Sequence, residues 1–204
     1  MKATSILWSC FNSNDSNNLL TKMLQATIIL EIFALYHARG HRHYGEEVTE
    51  LQHALQCAML ARQANEERHL IVACLLHDFG HLLHSHGEDI AAQGINTSHQ
   101  QLGAGYLEQF FPATVIEPIR LHVEAKRYLC WRFPSYLNEL SEASKLSLRL
   151  QGGVMTKLEA ENFIQLPFSQ EAIRLRQYDD AAKIKNLITA ELETYQPLLK
   201  TLIR

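Results

Sequence analysis

The sequence is poor in the features that announce most protein classes. Its 204 residues include 4 Cys, 5 Pro and 9 Gly. Cys10, Cys57, Cys74 and Cys130 form no C-x-x-C pair, which argues against a structural zinc cluster and for reduced thiols. The most apolar N-terminal run, residues 26–36, is interrupted by Glu31 and is too short to span a bilayer. Residues 1–18 have neither the basic start nor the apolar centre of a secretory signal, so a soluble cytoplasmic protein is expected, with no membrane partner. Neither sign of charge is in excess: 19 Lys and Arg face 22 Asp and Glu, which argues against a polybasic nucleic-acid binder. Alternating β-branched runs, hairpin dipeptides and internal repeats are missing. A hydrophobic fraction of 47% in a chain this long can still bury a core without staples.

What is present is helical periodicity. Leu20, Leu24, Ile28, Ile32 and Leu35 recur near helical spacing. Thr49 with Gln52 resembles a capping box, followed by the stripe Leu51, Ala54, Leu55, Ala58 and Met59. Residues 70–76 are almost wholly apolar and predict a buried central helix entered from about Asn65 and ending near Gly80. Further helices are expected around Leu102–Phe110, after Pro112, over residues 135–150 up to Gly152 and Gly153, and from Ser169 to Lys185, continuing with a break at Pro197. Residues 12–18, rich in Asn and Ser, read as a loop or tail. The expected architecture is all-α: a compact helical bundle over residues 19–204 behind an extension, residues 1–18.

The one excess is histidine, of which there are 11. A lone His on an apolar face is more often a core residue bonded to a neighbour than a ligand. The pattern here is not of lone residues. His53 lies on the stripe of the second helix, and His77-Asp78 follows directly after the apolar run. A charged Asp at the end of a buried helix is costly unless it is paired or bound to a metal. His99 comes near the start of a helix and His122 near the end of another. Imidazole and carboxylate donors suit iron, manganese or zinc, each ligand coming from its own helix.

The order His53, His77-Asp78, His99, His122 and a late Asp, with Leu75-Leu76-His77-Asp78-Phe79-Gly80-His81, resembles the HD-domain superfamily, in the subset that holds two metals. By that resemblance the ligands are His53, His77, Asp78, His99, His122 and Asp179, with Asp78 bridging. Asp179 is preferred to the adjacent Asp180 because Arg176-Gln177-Tyr178-Asp179 fits the family's closing motif. A narrower resemblance rests on His122 with Lys126-Arg127-Tyr128-Leu129, on Leu140-Ser141-Glu142-Ala143-Ser144 and on Gln151-Gly152-Gly153. These blocks are similar to the mixed-valent diiron oxygenases of the superfamily, which cleave a carbon–phosphorus bond.

That branch implies two iron ions, Fe(II) and Fe(III), with manganese or zinc as the alternative, and as partners an organophosphonate and dioxygen. It implies phosphonate contacts from Lys126, His81 and Ser144, Ser141 being the local competitor of Ser144. Lys126 lies four residues after His122, so both can face one side of a helix. It also implies a Tyr and a Glu that cover an open iron site before the first His ligand. Here the segment reads His43-Tyr44-Gly45-Glu46-Glu47. Spacing from His53 selects Glu46 for the Glu and His43 for the Tyr position, whereas Tyr spacing pairs Tyr44 with Glu47. No nucleophilic side chain is implied. The competing function is a metal-dependent phosphohydrolase acting on a phosphate ester or nucleotide, whose metals would generate hydroxide. A binding module that keeps a metal without turnover is the third reading.

Overall fold

The computed structural model describes residues 13–43, 47–84, 94–95 and 97–204, and among them every regular element is helical. The first helix, α1 (Ser13–Arg39), already includes most of the segment read as a loop. Asn and Ser compete with a helical backbone in mid-helix but are at home in a first turn, so an Asn/Ser run does not exclude a helix start. Residue 12 lies outside the described residues. α2 (Glu50–Gln63) starts at the expected capping box: Gln52 N–H donates to Thr49 Oγ1 at 3.2 Å and Thr49 N–H to Gln52 Oε1 at 3.0 Å.

The central helix differs from the expectation at both ends. α3 (Arg68–Leu76) starts later than Asn65, and it stops at Leu76; His77 and Asp78 form a turn, and α4 (Phe79–Leu83) follows. Every residue from Leu70 to Leu76 is buried. Around α3 pack Ile29, Ile32 and Tyr36 of α1 together with Cys57 and Ala61 of α2. The Tyr36 hydroxyl donates to the Leu75 carbonyl at 2.6 Å, fastening α1 to α3 at the end that leads into the turn. Each such Leu or Ile contributes roughly 1.5–3 kcal/mol by leaving water.

α5 (His99–Leu107) lies against α4 through paired glycines. A Cβ on Gly80 would meet the His99 carbonyl oxygen at 2.0 Å, and one on Gly103 would meet Gly80 N at 2.9 Å. This close approach brings the first residue of α5, His99, over the His77–Asp78 turn. α6 (Ala113–Arg132) is long, so His122 sits at mid-helix rather than near an end. Residues 135–150 form two helices, α7 (Tyr136–Glu139) and α8 (Glu142–Leu150). α9 (Lys157–Phe163) was not expected, although Thr156 and Glu159 make a capping box legible in sequence. Its Ala160 and Phe163 pack with Ala125 of α6 and Ala172 of α10 (Ser169–Ala181). α10 ends at Ala181, short of Lys185; after a non-helical stretch, a 3-10 turn (Leu192–Tyr195) leads into α11 (Gln196–Lys200). Pro197 opens α11 rather than breaking a helix, since a first turn needs no proline N–H.

Candidate metal centre

The break between α3 and α4 is where the polar residues gather. Asp78 has φ −97° and ψ 11°, outside the helical well, and its carboxylate turns into the space enclosed by α2, α3, α5, α6 and α10. One oxygen, Oδ2, lies 3.1 Å from His77 Nε2 and 3.5 Å from His53 Nε2. The other, Oδ1, lies 3.2 Å from His99 Nε2 and 3.6 Å from His122 Nε2. Asp179, from α10, faces the first pair at 3.3 Å from His53 and 3.9 Å from His77. Two sets of donors result, His53/His77/Asp179 and Asp78/His99/His122, each with its atoms within 4.8 Å of one another.

The donor set fits a pair of metal ions. His53 Nδ1 contacts the Ala182 carbonyl at 2.9 Å, His77 Nδ1 the Cys74 carbonyl at 2.9 Å and His122 Nδ1 the Ile119 carbonyl at 2.7 Å. A carbonyl only accepts, so each Nδ1 carries the proton and each Nε2 presents its lone pair inward. Yet His53 Nε2 stands 3.2 Å from His77 Nε2, and His99 Nε2 stands 3.1 Å from His122 Nε2. Facing lone pairs repel, and a cation within each set removes the conflict. All donors are nitrogen or oxygen, the chemistry of iron, manganese or zinc rather than of a thiolate site.

The charges agree. Burial opposes ionisation of Asp78, but the charge of His77 and the hydrogen bonds from His53, His77 and His99 hold its carboxyl well below the usual range. Burial likewise opposes ionisation of Asp179, and the Arg176 charge with the His53 bond overrides it. Burial pushes His122 down to about 3, which keeps it neutral. Glu50, one turn before His53, stands apart: burial, then the Asp78 charge, pushes it up to about 8.

Next to this centre lies a cluster of opposite sign. Lys126, only 2% exposed, donates from Nζ to Ser147 Oγ at 2.8 Å. Arg176 donates from Nη1 to Asp179 at 2.7 Å and from Nη2 to Ser144 Oγ at 3.4 Å, and it also holds Asp180. Lys183 Nζ donates to Ser144 Oγ at 3.1 Å. Burial, then the Arg176 charge, pulls Lys126 down to about 7. The metal centre and the cations therefore meet at one ion pair, Arg176–Asp179.

The two local ambiguities of the sequence are separated by geometry. Asp179 joins the cluster, while Asp180 is engaged by Arg176 and the Tyr136 hydroxyl. Ser144 Oγ meets the cations, while Ser141 caps α8 by accepting the Ser144 N–H at 3.1 Å. The His81 ring stacks on His99 with centroids 4.2 Å apart. His43 is exposed; Tyr44 and Glu46 lie outside the described residues. Sequence reasoning missed Lys183, Ser147 and Glu50, and it used Arg176 only as part of a motif. The i, i+3 and i, i+4 spacing of Arg176 to Asp179 and Asp180 was the available signal.

Residues 51–158 match the HD domain family model. The chain is 44% identical over 168 residues to hydroxymethylphosphonate dioxygenase of Gimesia maris, covering 82% of this chain and 84% of that protein. It is 37% identical over 185 residues to the glycine-betaine-forming [1-hydroxy-2-(trimethylamino)ethyl]phosphonate dioxygenase of Leisingera caerulea, covering 90% and 94%. An uncharacterized protein of Acanthamoeba polyphaga mimivirus is 33% identical over 192 residues, covering 93% and 87%. No helix among the described residues is long and apolar enough to cross a membrane.

Proposed function

The chain belongs to the HD-domain family, in its oxygenase branch, and from that premise we propose that it uses dioxygen to cleave the carbon–phosphorus bond of a 1-hydroxyphosphonate. The cofactor in this reading is a pair of irons: His53, His77 and Asp179 would hold one, and His99 and His122 with Asp78 the other, Asp78 also lying within reach of the first group. The products are phosphate and a carboxylic acid, and the atoms balance with one dioxygen per phosphonate.

The observation that carries the reading is the contact of the metal centre with the cation cluster at Arg176–Asp179. It suits a substrate whose anionic head group is held beside a pair of redox metals. When bound, the irons supply the oxidising power that no side chain has. The chain's own residues hold and orient. Lys126 and Arg176 bring positive charge to the phosphonate oxygens, and Ser144 offers them a hydroxyl. His81, stacked on His99, faces the same head group. Carbonyl bonds at Nδ1 fix the rings of His53, His77 and His122, so no reorientation is needed when substrate arrives. Burial of these side chains keeps bulk water from the reacting carbon.

The test is oxygen uptake and phosphate release by iron-loaded protein prepared without air, with hydroxymethylphosphonate as substrate. Equal amounts of oxygen consumed and phosphate formed are expected. Phosphate released from a phosphate ester or nucleotide at the same rate with and without oxygen would instead identify a phosphohydrolase.

A further inference from the structure

Arg176 is shared unequally between the two carboxylates that follow it on α10. Its Nε donates to Asp180 Oδ2 at 3.1 Å and its Nη2 meets Asp180 Oδ1, so Asp180 takes the guanidinium side-on. Nη2 also reaches Ser144 Oγ at 3.4 Å. Nη1 is what remains for Asp179, and it donates to Oδ2 at 2.7 Å. The other Asp179 oxygen, Oδ1, stands 3.3 Å from His53 Nε2 and faces the metal donors. Asp180 is itself braced from α7. The Tyr136 hydroxyl donates to Asp180 Oδ2 and accepts from Arg176 Nε at 3.3 Å. Tyr136 packs with Cys130, Leu140 and Leu148, which fixes where that hydroxyl lies. Burial pushes the phenol above its ordinary value, so it stays a donor toward the carboxylate.

A guanidinium favours two parallel bonds to one carboxylate. Spacings of three and four residues along α10 put both Asp179 and Asp180 within its reach. Without Asp180, Nε and Nη2 would lose their charged partner, and a buried arginine with one carboxylate left would close on both oxygens of Asp179. Positive charge would then cover the oxygen that faces His53. We propose that Asp180 and Tyr136 are positioning residues: they hold Arg176 to a single contact with Asp179, so that Asp179 keeps Oδ1 for the ion it shares with His53 and His77. The step rests on the two-iron part of the reading above and not on its oxygen chemistry. Asp180 is thus no spare copy of Asp179. It takes the side-on bond so that its neighbour can serve a metal.

The test follows iron release to a chelator, without oxygen, from full-length protein loaded with two Fe(II). Asp180→Asn keeps the side-chain shape and removes the charge. It is expected to weaken the ion on His53, His77 and Asp179 roughly ten- to hundredfold, the usual effect of losing a group that orients a metal ligand, while the ion on Asp78, His99 and His122 is held as in the wild type. Tyr136→Phe leaves both carboxylates in place and should weaken the same ion by a smaller factor, under about tenfold. In an Asp179→Asn background, Asp180→Asn should alter iron count and release no further, because its effect passes through Asp179. Wild-type release of both ions from Asp180→Asn overturns the proposal. So does equal weakening of the two ions, or a further loss in the Asp179→Asn background, either of which marks a merely structural role. If Asp180→Asn does not fold, Tyr136→Phe decides by the same measurement, and unchanged release there overturns the proposal. A wild-type protein that holds two irons yet consumes no oxygen with hydroxymethylphosphonate sinks the oxygenase reading and leaves the positioning role standing.

Discussion

The metal centre and the cation cluster share a wall yet are built on opposite rules. On one side imidazole nitrogens and two ionised carboxylates converge, a set that attracts positive charge, whether metal ions or protons on His53 and His77. On the other, Lys126, Arg176 and Lys183 crowd together around the hydroxyls of Ser144 and Ser147. The first half offers its donors to cations, while in the second Asp179 and Asp180 already answer the Arg176 charge. Arg176–Asp179 is the one place where the two halves neutralise each other directly. In the proposed function the first half holds the metals and the second the anionic head group, with the protein fixing their separation.

The comparison is broken most completely at Asp78, which touches both donor sets. Asp78→Ala should abolish loading of both ions and lower activity by more than about a thousandfold, because a metal site does not survive losing its shared ligand. Elemental analysis after anaerobic reconstitution checks this, and retention of two ions would refute the shared role. Asp179→Asn acts on one donor set and on the ion pair. It should reduce the metal count from two toward one and weaken methylphosphonate binding less than tenfold, since Arg176 keeps Asp180.

Lys126→Met tests the cation side alone: methylphosphonate affinity should fall roughly ten- to hundredfold with metal content unchanged. It should also change how stability depends on pH. The folded value of Lys126 is about 7, while an unfolded Lys holds its proton to roughly pH 10.4. The unfolded chain therefore binds more protons between those values, and wild-type stability gains a rising contribution across that window. Urea unfolding of the metal-free variant should lack this rise and show its relative gain below pH 7. The smallest effect is expected at Glu50. Its folded value of about 8 exceeds the unfolded value near roughly 4.3, so the ionised form is the disfavoured one and stability falls as pH rises between them. Glu50→Gln mimics the neutral acid, and at pH 8 it should stabilise the metal-free protein by about 1 kcal/mol.

The two halves were not equally legible. The donors of the metal centre stand out because His and Asp on apolar faces contradict the periodicity around them, as His53 does on the α2 stripe and Asp78 does after Leu76. The cations carry no such contrast, since Lys and Arg are ordinary on helix surfaces. Only the packing of α6 against α8 and α10 shows that Lys126 and Arg176 are inside. The helix break at His77 was hidden for a related reason: apolar residues continue on both sides of it, and only the polar pair between them marks the turn.

By itself the sequence determined the helical class, the apolar stripe of each main helix and the residue types able to hold a metal, because these follow from spacing and side-chain chemistry. Tertiary structure decided the rest. Gly80 lets α5 close onto the turn, the carbonyls of Cys74, Ile119 and Ala182 choose which nitrogen of each ring faces inward, and Asp78 comes to divide its oxygens between two sets of histidines. The Cys74 and Ile119 carbonyls lie only three residues before the rings they fix, but the Gly80–His99 approach, the Ala182–His53 bond and the reach of Asp78 to His53, His99 and His122 join distant parts of the chain, so no window of sequence contains the site.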